Sequence, residues 1–484
     1  MASESDAAPP TPSHDLTAPT DPTDTIAAVA TPPGRGGIGI VRLSGPEAMA
    51  IAAQLVRLSG PLEAGRVRMA SVLDPASPNA DSANAIDEAV VTAFRAPHSY
   101  TGEDVVEIAA HGSPVVLETL LRGALAAGAR LAGPGEFTQR AFLNHRIDLT
   151  QAEAIQDLIA AQTLEQARMA AQQLGGALSR RVAPVKERLL HLIALLEAGM
   201  DFAVGELDDV DIVAPQTIAA TVAEVRASLE TLAASYARGH RLREGAALAL
   251  VGRPNVGKSS LFNRLLERER AIVTPVPGTT RDTVEEAVAI GGIPVRLIDT
   301  AGLRLTGEAA ADQAEEMGIA RSREAMADAD LVLLVLDCTQ PVSAEELSLL
   351  ESLAGRPHLA VHNKIDLLPE HPESNPSEAA GEKLLTSAHT GEGVEALRAA
   401  ILRVLQAAGS PAGEGVLNTL RQRQAVDDAL AALAAAARAN DDRLAHELLL
   451  VDLHQALRAL DSLTGQTTTE DILTRIFSTF CIGK

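Results

Sequence analysis

The run Gly252–Ser260, Gly-Arg-Pro-Asn-Val-Gly-Lys-Ser-Ser, constrains this chain more than any other segment. Its spacing is G-x-x-x-x-G-K-S; it follows the apolar run Ala246–Val251 and opens a helical stretch, Ser260–Leu266. Strand, glycine loop and helix in that order make a phosphate cradle. Glycines let successive N–H groups turn inward around the phosphates, and Lys258 brings a point charge to the β/γ oxygens. Ser259 offers a hydroxyl to Mg²⁺, a hard cation that prefers oxygen ligands and phosphate partners.

A chain of 484 residues exceeds one ordinary domain. Hydrophobic residues make up 46% but aromatics only 2%, with no Trp, so the cores are built from Ala, Leu and Val, which favours helix. The net charge of −23 argues for solubility and against nucleic-acid binding through the overall field; RNA contact needs a local basic patch or a partner's surface. Two distant cysteines, Cys338 and Cys481, suggest no disulfide framework and fit a reducing cytoplasm. Residues 1–24 hold no Lys or Arg and no apolar block, so they read as a disordered tail rather than a signal or transit peptide. No apolar run is long enough to span a bilayer, and a cytoplasmic protein without membrane partners is expected.

Past the tail, four regions separate on pattern. Residues 25–144 mix short β-like runs (Ile38–Leu43, Ala89–Phe94, Val105–Ala109) with helical stretches, as in a small α+β domain. Residues 145–244 turn helical, and Val182, Val185, Leu189, Leu192 and Leu196 recur as one apolar face. Between 245 and 406, strands such as Ala247–Val251, Val295–Asp299, Leu331–Asp337 and Leu359–Asn363 alternate with helices, the signature of a doubly wound, mostly parallel sheet. Helix resumes over 407–484, with Leu450, Leu453, Leu457 and Leu460 on one face. Neither helical half has enough helices to enclose a core alone, so the two read as one discontinuous bundle with the P-loop domain inserted. The expected fold class is multidomain α/β plus α.

Three further elements follow the phosphate loop in the order a guanine-nucleotide domain demands. Asp299-Thr300-Ala301-Gly302 ends a strand; Asp299 can reach Mg²⁺ through water, and the Gly302 amide can sense a γ-phosphate. Asn363-Lys364-Ile365-Asp366, also at a strand end, is the base reader, because the Asp366 carboxylate can accept from guanine N1–H and the exocyclic amine, a donor pair adenine lacks. Ser387-Ala388-His389 sits where a loop can bring N–H groups to guanine O6, although His389 stands where Lys is usual. Asn-Lys-x-Asp alone is as easily a solvated turn; four elements in order specify a GTPase. The nucleotide is expected to touch Asn255, Val256, Gly257, Lys258, Ser259 and Ser260, and the loop Thr274-Pro275-Val276-Pro277-Gly278-Thr279-Thr280, together with the three later motifs. Gly278-Thr279-Thr280-Arg281-Asp282 reads as a first switch, in which Thr280 or Thr279 would complete the Mg²⁺ shell.

Leu303 follows Gly302 where Ras-like GTPases carry the Gln that orients water, so another catalytic device is needed. The Asn255 side-chain oxygen can help hold a monovalent cation that does the charge stabilisation of an arginine finger. A carboxylate from Asp312–Glu316 can then orient water, or that stretch is an ordinary solvated helix start.

The flanks carry a resemblance. Thr31-Pro32-Pro33-Gly34-Arg35-Gly36-Gly37-Ile38-Gly39-Ile40-Val41-Arg42-Leu43-Ser44-Gly45, Tyr100-Thr101-Gly102-Glu103-Asp104, Gly133-Pro134-Gly135-Glu136-Phe137-Thr138, Ala141-Phe142-Leu143-Asn144 and the terminal Phe480-Cys481-Ile482-Gly483-Lys484 resemble the MnmE (TrmE) family of tRNA-modification GTPases over essentially everything after the tail. The resemblance implies a homodimer with an N-terminal tetrahydrofolate-binding and dimerisation domain, a helical domain and an inserted G domain. It implies an FAD-containing partner (MnmG, also GidA), with NADH and FAD on the partner's side, and addition of an aminomethyl or carboxymethylaminomethyl group to C5 of the tRNA wobble uridine. It also implies GTP hydrolysis with potassium-dependent association of two G domains. Carried over by motif, folate would meet Arg42, Glu107, Arg146 (where Lys is usual) and Lys484; K⁺ would sit on Asn255, Thr274, Val276 and Thr279; and Mg²⁺ would sit on Ser259 and Thr280. The resemblance gives Lys258, Thr280 and Glu315 the catalytic roles. The stretch after Leu303 is longer than the family pattern and lacks its Asp-Glu-Val-Glu run, so Glu316 stands beside Glu315 as the water-orienting alternative. For Cys481, packing beside the folate pocket is favoured over a reactive thiol. The competing class is a ribosome-assembly GTPase acting as an RNA-binding switch, yet no basic module is evident.

Overall fold

The computed structural model describes residues 24–74, 85–203, 213–266, 285–299, 329–368, 383–407, 415–467 and 470–483. The expected tail, residues 1–23, lies outside them. By contacts the chain forms two units, Met1–Ala152 with Thr468–Lys484, and Glu153–Thr467. Among the described residues no helix is long and apolar enough to cross a membrane.

The first unit is built on strands β1 (Ile26–Val29), β2 (Gly36–Ser44), β3 (Val56–Leu58), β4 (Val67–Leu73), β5 (Ala85–Phe94), β6 (Val105–Gly112) and β7 (Arg130–Leu131), in spatial order β3-β4-β5-β6-β2-β1-β7. Every pairing is antiparallel except β1 with β7. Side chains alternate across the sheet. Val41, Leu43, Val91 and Ile108 face a core shared with Ile51 and Leu120 of the helices Ala48–Leu55 and Pro114–Ala126. Arg42 and Glu107, directly paired in register, lie on the opposite face. The chain's last residues belong to this unit: Pro134 bridges Ile482, the Phe477 ring packs against Phe142 and Phe480, and Phe477 and Phe480 are buried. By contacts, the last part of the stretch 407–484, Thr468–Lys484, clusters with this unit.

An ionic network fastens Gly-Pro-Gly-Glu-Phe-Thr. Arg140 is 5% exposed and meets Asp24, Glu103 (3.2 Å) and Glu136 (3.1 Å). Arg130 bonds Glu136 and Asp24, each at 2.6 Å. Burial alone would disfavour ionised Glu136, but Arg130 and the Gly133 N–H outweigh it and hold the carboxyl below the usual range.

In the second unit the long helices Ala177–Ala203, Pro215–Ala234, Leu420–Asp441 and His446–Thr464 share one core. Val182, Val185, Leu189, Leu192 and Leu196 meet Val426, Leu433, Leu453 and Leu460 there, so residues on both sides of the α/β block complete a single bundle.

The α/β block has strands β8 (Ala246–Val251), β9 (Glu285–Ile290), β10 (Ile293–Asp299), β11 (Leu331–Asp337), β12 (His358–Asn363) and β13 (Leu384–Thr386), in order β13-β12-β11-β8-β10-β9. All pairs are parallel except β9 with β10. Each residue of β8 is buried, since cores lie on both faces of the sheet. The chain leaves β8 for neighbours on opposite sides, a topological switch point that opens a crevice at the strands' C-terminal ends.

One carboxylate ties the block's two ends to the bundle. Asp157, on the helix Leu149–Ala160, accepts from Arg243 Nε (2.6 Å) just before β8 and from Asn418 Nδ2 (2.9 Å) on the returning chain. Burial pushes its pKa up, with Arg243 opposing. One turn earlier Glu153 accepts from both Arg421 and Gln422. The helix Leu164–Leu174 adds two amides: Gln166 Nε2 bonds Arg243 O at 2.9 Å, and Gln173 Nε2 bonds Val416 O.

Candidate functional site

The phosphate loop joins β8 to the helix Lys258–Leu266, which starts at the lysine itself. Gly252 has φ +144°, and a Cβ there would meet Val335 O at 2.3 Å, so only glycine lets the loop pass β11. Gly257 has φ +98°, and a Cβ would fall 2.2 Å from Asn363 Nδ2. Asn255, also left-handed at φ +63°, is exposed at the bend. Lys258 is 7% exposed and donates to Gly252 O (2.7 Å) and Arg253 O (2.8 Å), which folds its ammonium back over the loop. Ser259 and Ser260 are exposed in the helix's first turn, and Val256 is buried beneath the loop.

Asn363 joins three motifs. Its Nδ2 donates to Val256 O (2.9 Å) in the phosphate loop, and its Oδ1 accepts from Ala388 N (3.0 Å). The side chain is 1% exposed, so breaking either bond would strand a buried polar atom. Asp366, on the short 3₁₀ turn Ile365–Leu367, accepts from Ser387 Oγ at 2.6 Å, which fixes its carboxylate beside the third loop. Asn363, Lys364 and Asp366 of the base reader and Ala388 and His389 of the third loop thus border one cleft of about 300 Å³, with Gly257, Ser260 and Arg264.

Sequence reasoning missed two residues here, Asp337 and Arg264. Lys364, at φ +72°, pairs with Asp337 at 2.6 Å; burial raises the Asp337 pKa, but Lys364 and the Thr339 hydroxyl and amide outweigh this and hold it below the usual range. A lone carboxylate ending the apolar strand Leu331–Asp337 was the available signal. Arg264, on the helix after the phosphate loop, donates to Ala388 O and His389 O; nothing in the sequence marks it.

Asp299 ends β10, where a Mg²⁺-linked carboxylate is expected. Thr274, Pro275, Val276, Pro277, Gly278, Thr279, Thr280, Thr300, Ala301, Gly302, Glu315, Glu316 and Lys484 lie outside the described residues.

In the first unit, Arg42 Nε (2.8 Å) and Nη2 (2.7 Å) both bond Glu107 Oε1. The guanidinium lies over the Tyr100 ring at 5.4 Å and the Phe137 ring at 5.6 Å. Tyr100 OH bonds Thr138 Oγ1 at 2.8 Å, and burial pushes its pKa up against Thr138 and Arg42. Arg146 Nε donates to Ser99 O at 3.1 Å, next to Tyr100. Arg42, Glu107 and Arg146, distant in sequence, therefore gather around one loop. Tyr100 supplies its ring, a role its motif alone did not reveal. Cys481 is exposed, and its carbonyl accepts from Gly135 N at 3.4 Å.

Residues 149–481 match the family described as MnmE helical domain, and residues 25–146 match GTP-binding protein TrmE N-terminus. The chain is 54% identical over 468 residues to a Koribacter versatilis protein named tRNA modification GTPase MnmE, covering 95% of this chain and 99% of the relative. A protein of the same name from Chloroflexus aurantiacus is 46% identical over 467 residues, covering 95% and 100%. Among solved structures, the G domain of the T. maritima FeoB iron transporter matches at 34% identity, covering 33% of this chain and 99% of that one, with a TM-score of 0.25.

Proposed function

Because the chain belongs to the MnmE family, we propose that it is a GTP-hydrolysing tRNA-modification enzyme, and that with an FAD-containing partner it adds an aminomethyl or carboxymethylaminomethyl group at C5 of the wobble uridine. The observation that carries this is the convergence of the phosphate loop, Asn363-Lys364-Ile365-Asp366 and Ser387-Ala388-His389 on one crevice, in a chain collinear with its relatives over 95% of its length. Lys258 neutralises charge on the β/γ oxygens, and the Ser259 hydroxyl, with Thr280, holds Mg²⁺. The oxygen donors at hand suit a hard cation. Asn255, at a left-handed bend of the phosphate loop, would hold K⁺ through its side-chain oxygen together with Thr274, Val276 and Thr279. Bound there, K⁺ supplies positive charge to the transition state. Glu315 orients the attacking water.

The second ligand of this reading is a tetrahydrofolate at Arg42, Glu107, Arg146 and Lys484. Its support is the Arg42–Glu107 pair: both guanidinium bonds end on one carboxylate oxygen, and the pair sits beside the Tyr100 ring on the sheet face opposite the main core of this unit. The protein works as a homodimer in the cytoplasm, with the flavoprotein and tRNA as partners.

Nucleoside mass spectrometry of tRNA from a deletion strain tests the whole. Loss of C5-modified wobble uridine, restored by the intact gene, is expected; unchanged modification returns the chain to the ribosome-assembly class. GTP turnover is expected to be faster in potassium than in sodium, and Asn255→Ala is expected to remove most of that difference. Equal rates in the two salts would discard the cation.

A further inference from the structure

After Ser387 the loop carries three consecutive N–H groups, those of Ala388, His389 and Thr390, and two of them have acceptors within the protein. Ala388 N donates to Asn363 Oδ1 at 3.0 Å, and Thr390 N donates to Ser387 Oγ at 3.0 Å. The N–H between them, on His389, has no acceptor among the described residues. Its direction is fixed from the other side of the same peptide. Arg264 Nε donates to Ala388 O at 3.0 Å, and Arg264 Nη2 donates to His389 O at 2.5 Å. In a trans peptide the C=O and the following N–H point opposite ways, so drawing Ala388 O toward Arg264 turns His389 N–H to the other side of the loop. Both residues border the cleft that also holds Asp366 and Lys364.

We propose that Arg264 is a positioning residue for base recognition: by clamping two loop carbonyls it aims the His389 main-chain N–H at O6 of guanine. This rests on the GTP reading above and deepens it. O6 is an acceptor in guanine, whereas adenine carries an amine there, so an N–H held at that point favours one purine and opposes the other. Asp366 reads the N1–H and the 2-amine independently. Selectivity then has two arms, one a carboxylate on the turn after β12 and one a main-chain donor set by a side chain from the helix after the phosphate loop. His389, whose side chain is exposed where Lys is usual, contributes through its backbone.

Dissociation constants of the full chain for GDP, 6-thio-GDP, IDP and ADP separate the arms. The thio analogue replaces O6 with a poorer acceptor, and IDP lacks only the 2-amine. The native chain is expected to favour GDP over all three. In Arg264→Met, GDP is expected to weaken by roughly tenfold, the scale of one lost hydrogen bond. Its preference over 6-thio-GDP should collapse while its preference over IDP stays, the latter showing that the fold and the Asp366 arm are intact. Arg264→Lys, which keeps one donor group, should recover part of the thio preference. An unchanged GDP to 6-thio-GDP ratio in Arg264→Met overturns the proposal, and so does an equal fall in both ratios, which would mean general loosening. A native chain that binds GDP and ADP alike overturns the guanine reading itself, a failure visible before any variant is made.

Discussion

Changing Asp366 to asparagine is expected to weaken GTP binding by about 10²- to 10⁴-fold, two charge-assisted hydrogen bonds at about 1.5–3 kcal/mol each. The replacement amide presents a donor where guanine also presents donors. The same variant is expected to bind XTP better than GTP, because xanthine offers an oxygen where guanine carries its 2-amine. Ser387 Oγ already points at Asp366 Oδ1, so the side chain has a defined orientation before any base arrives. Titrating native and variant chains with both triphosphates checks this. A variant whose nucleotide preference equals that of the native chain would mean that another residue reads the base edge.

The second large effect concerns stability. Arg140→Ala is expected to cost about 3–5 kcal/mol in the N-terminal unit, the penalty of removing one partner from a buried ionic cluster. Arg140 is the common partner of Asp24, Glu103 and Glu136; without it Arg130 alone faces Asp24 and Glu136. The Glu136 and Asp24 carboxyls both lie below their ordinary range in the native fold, where the arginines overcome their burial. A depressed folded pKa means stability that is present above the unfolded value, near 4, and lost as pH falls through the folded value. In Arg140→Ala that acid loss should begin at higher pH, since burial of the carboxyls is less opposed. Hydrogen exchange of the peptides around β1 and 133–143, followed against pH, reports both effects. Protection equal to the native chain's at pH 7 would show the cluster to be energetically neutral.

Legibility varied with the range of the interaction. The phosphate loop and the strands of the α/β block were readable because local spacing dictates them: Leu331–Asp337 was read to its observed ends, and Leu359–Asn363 to within one residue of the observed His358–Asn363. The shared core of the two helical halves was readable because the apolar face of 182–196 and the helix Pro215–Ala234 beside it are too few to enclose a core without Leu420–Asp441 and His446–Thr464. The Asp337–Lys364 pair and the reach of Arg264 to Ala388 and His389 were not. Each joins residues far apart in sequence through side chains that would look ordinary on any solvated surface. The grouping of the C-terminal segment with the first unit was hidden likewise, because a short aromatic-bearing helix carries no label naming the helix, Glu136–Leu143, that its Phe477 will pack against.

The carboxylate of Asp157 has a consequence for how such a chain can change over time. Because it holds Arg243 and Asn418 at once, the two ends of the inserted block are pinned side by side, a few ångströms from a single acceptor group. The bundle therefore registers only that short gap and not the length or content of what fills it. An insert whose own termini lie close together can be lengthened, trimmed or exchanged without disturbing the surrounding helices. On this account the GTP-handling module is a cassette, and the socket that accepts it is one turn of helix around Asp157.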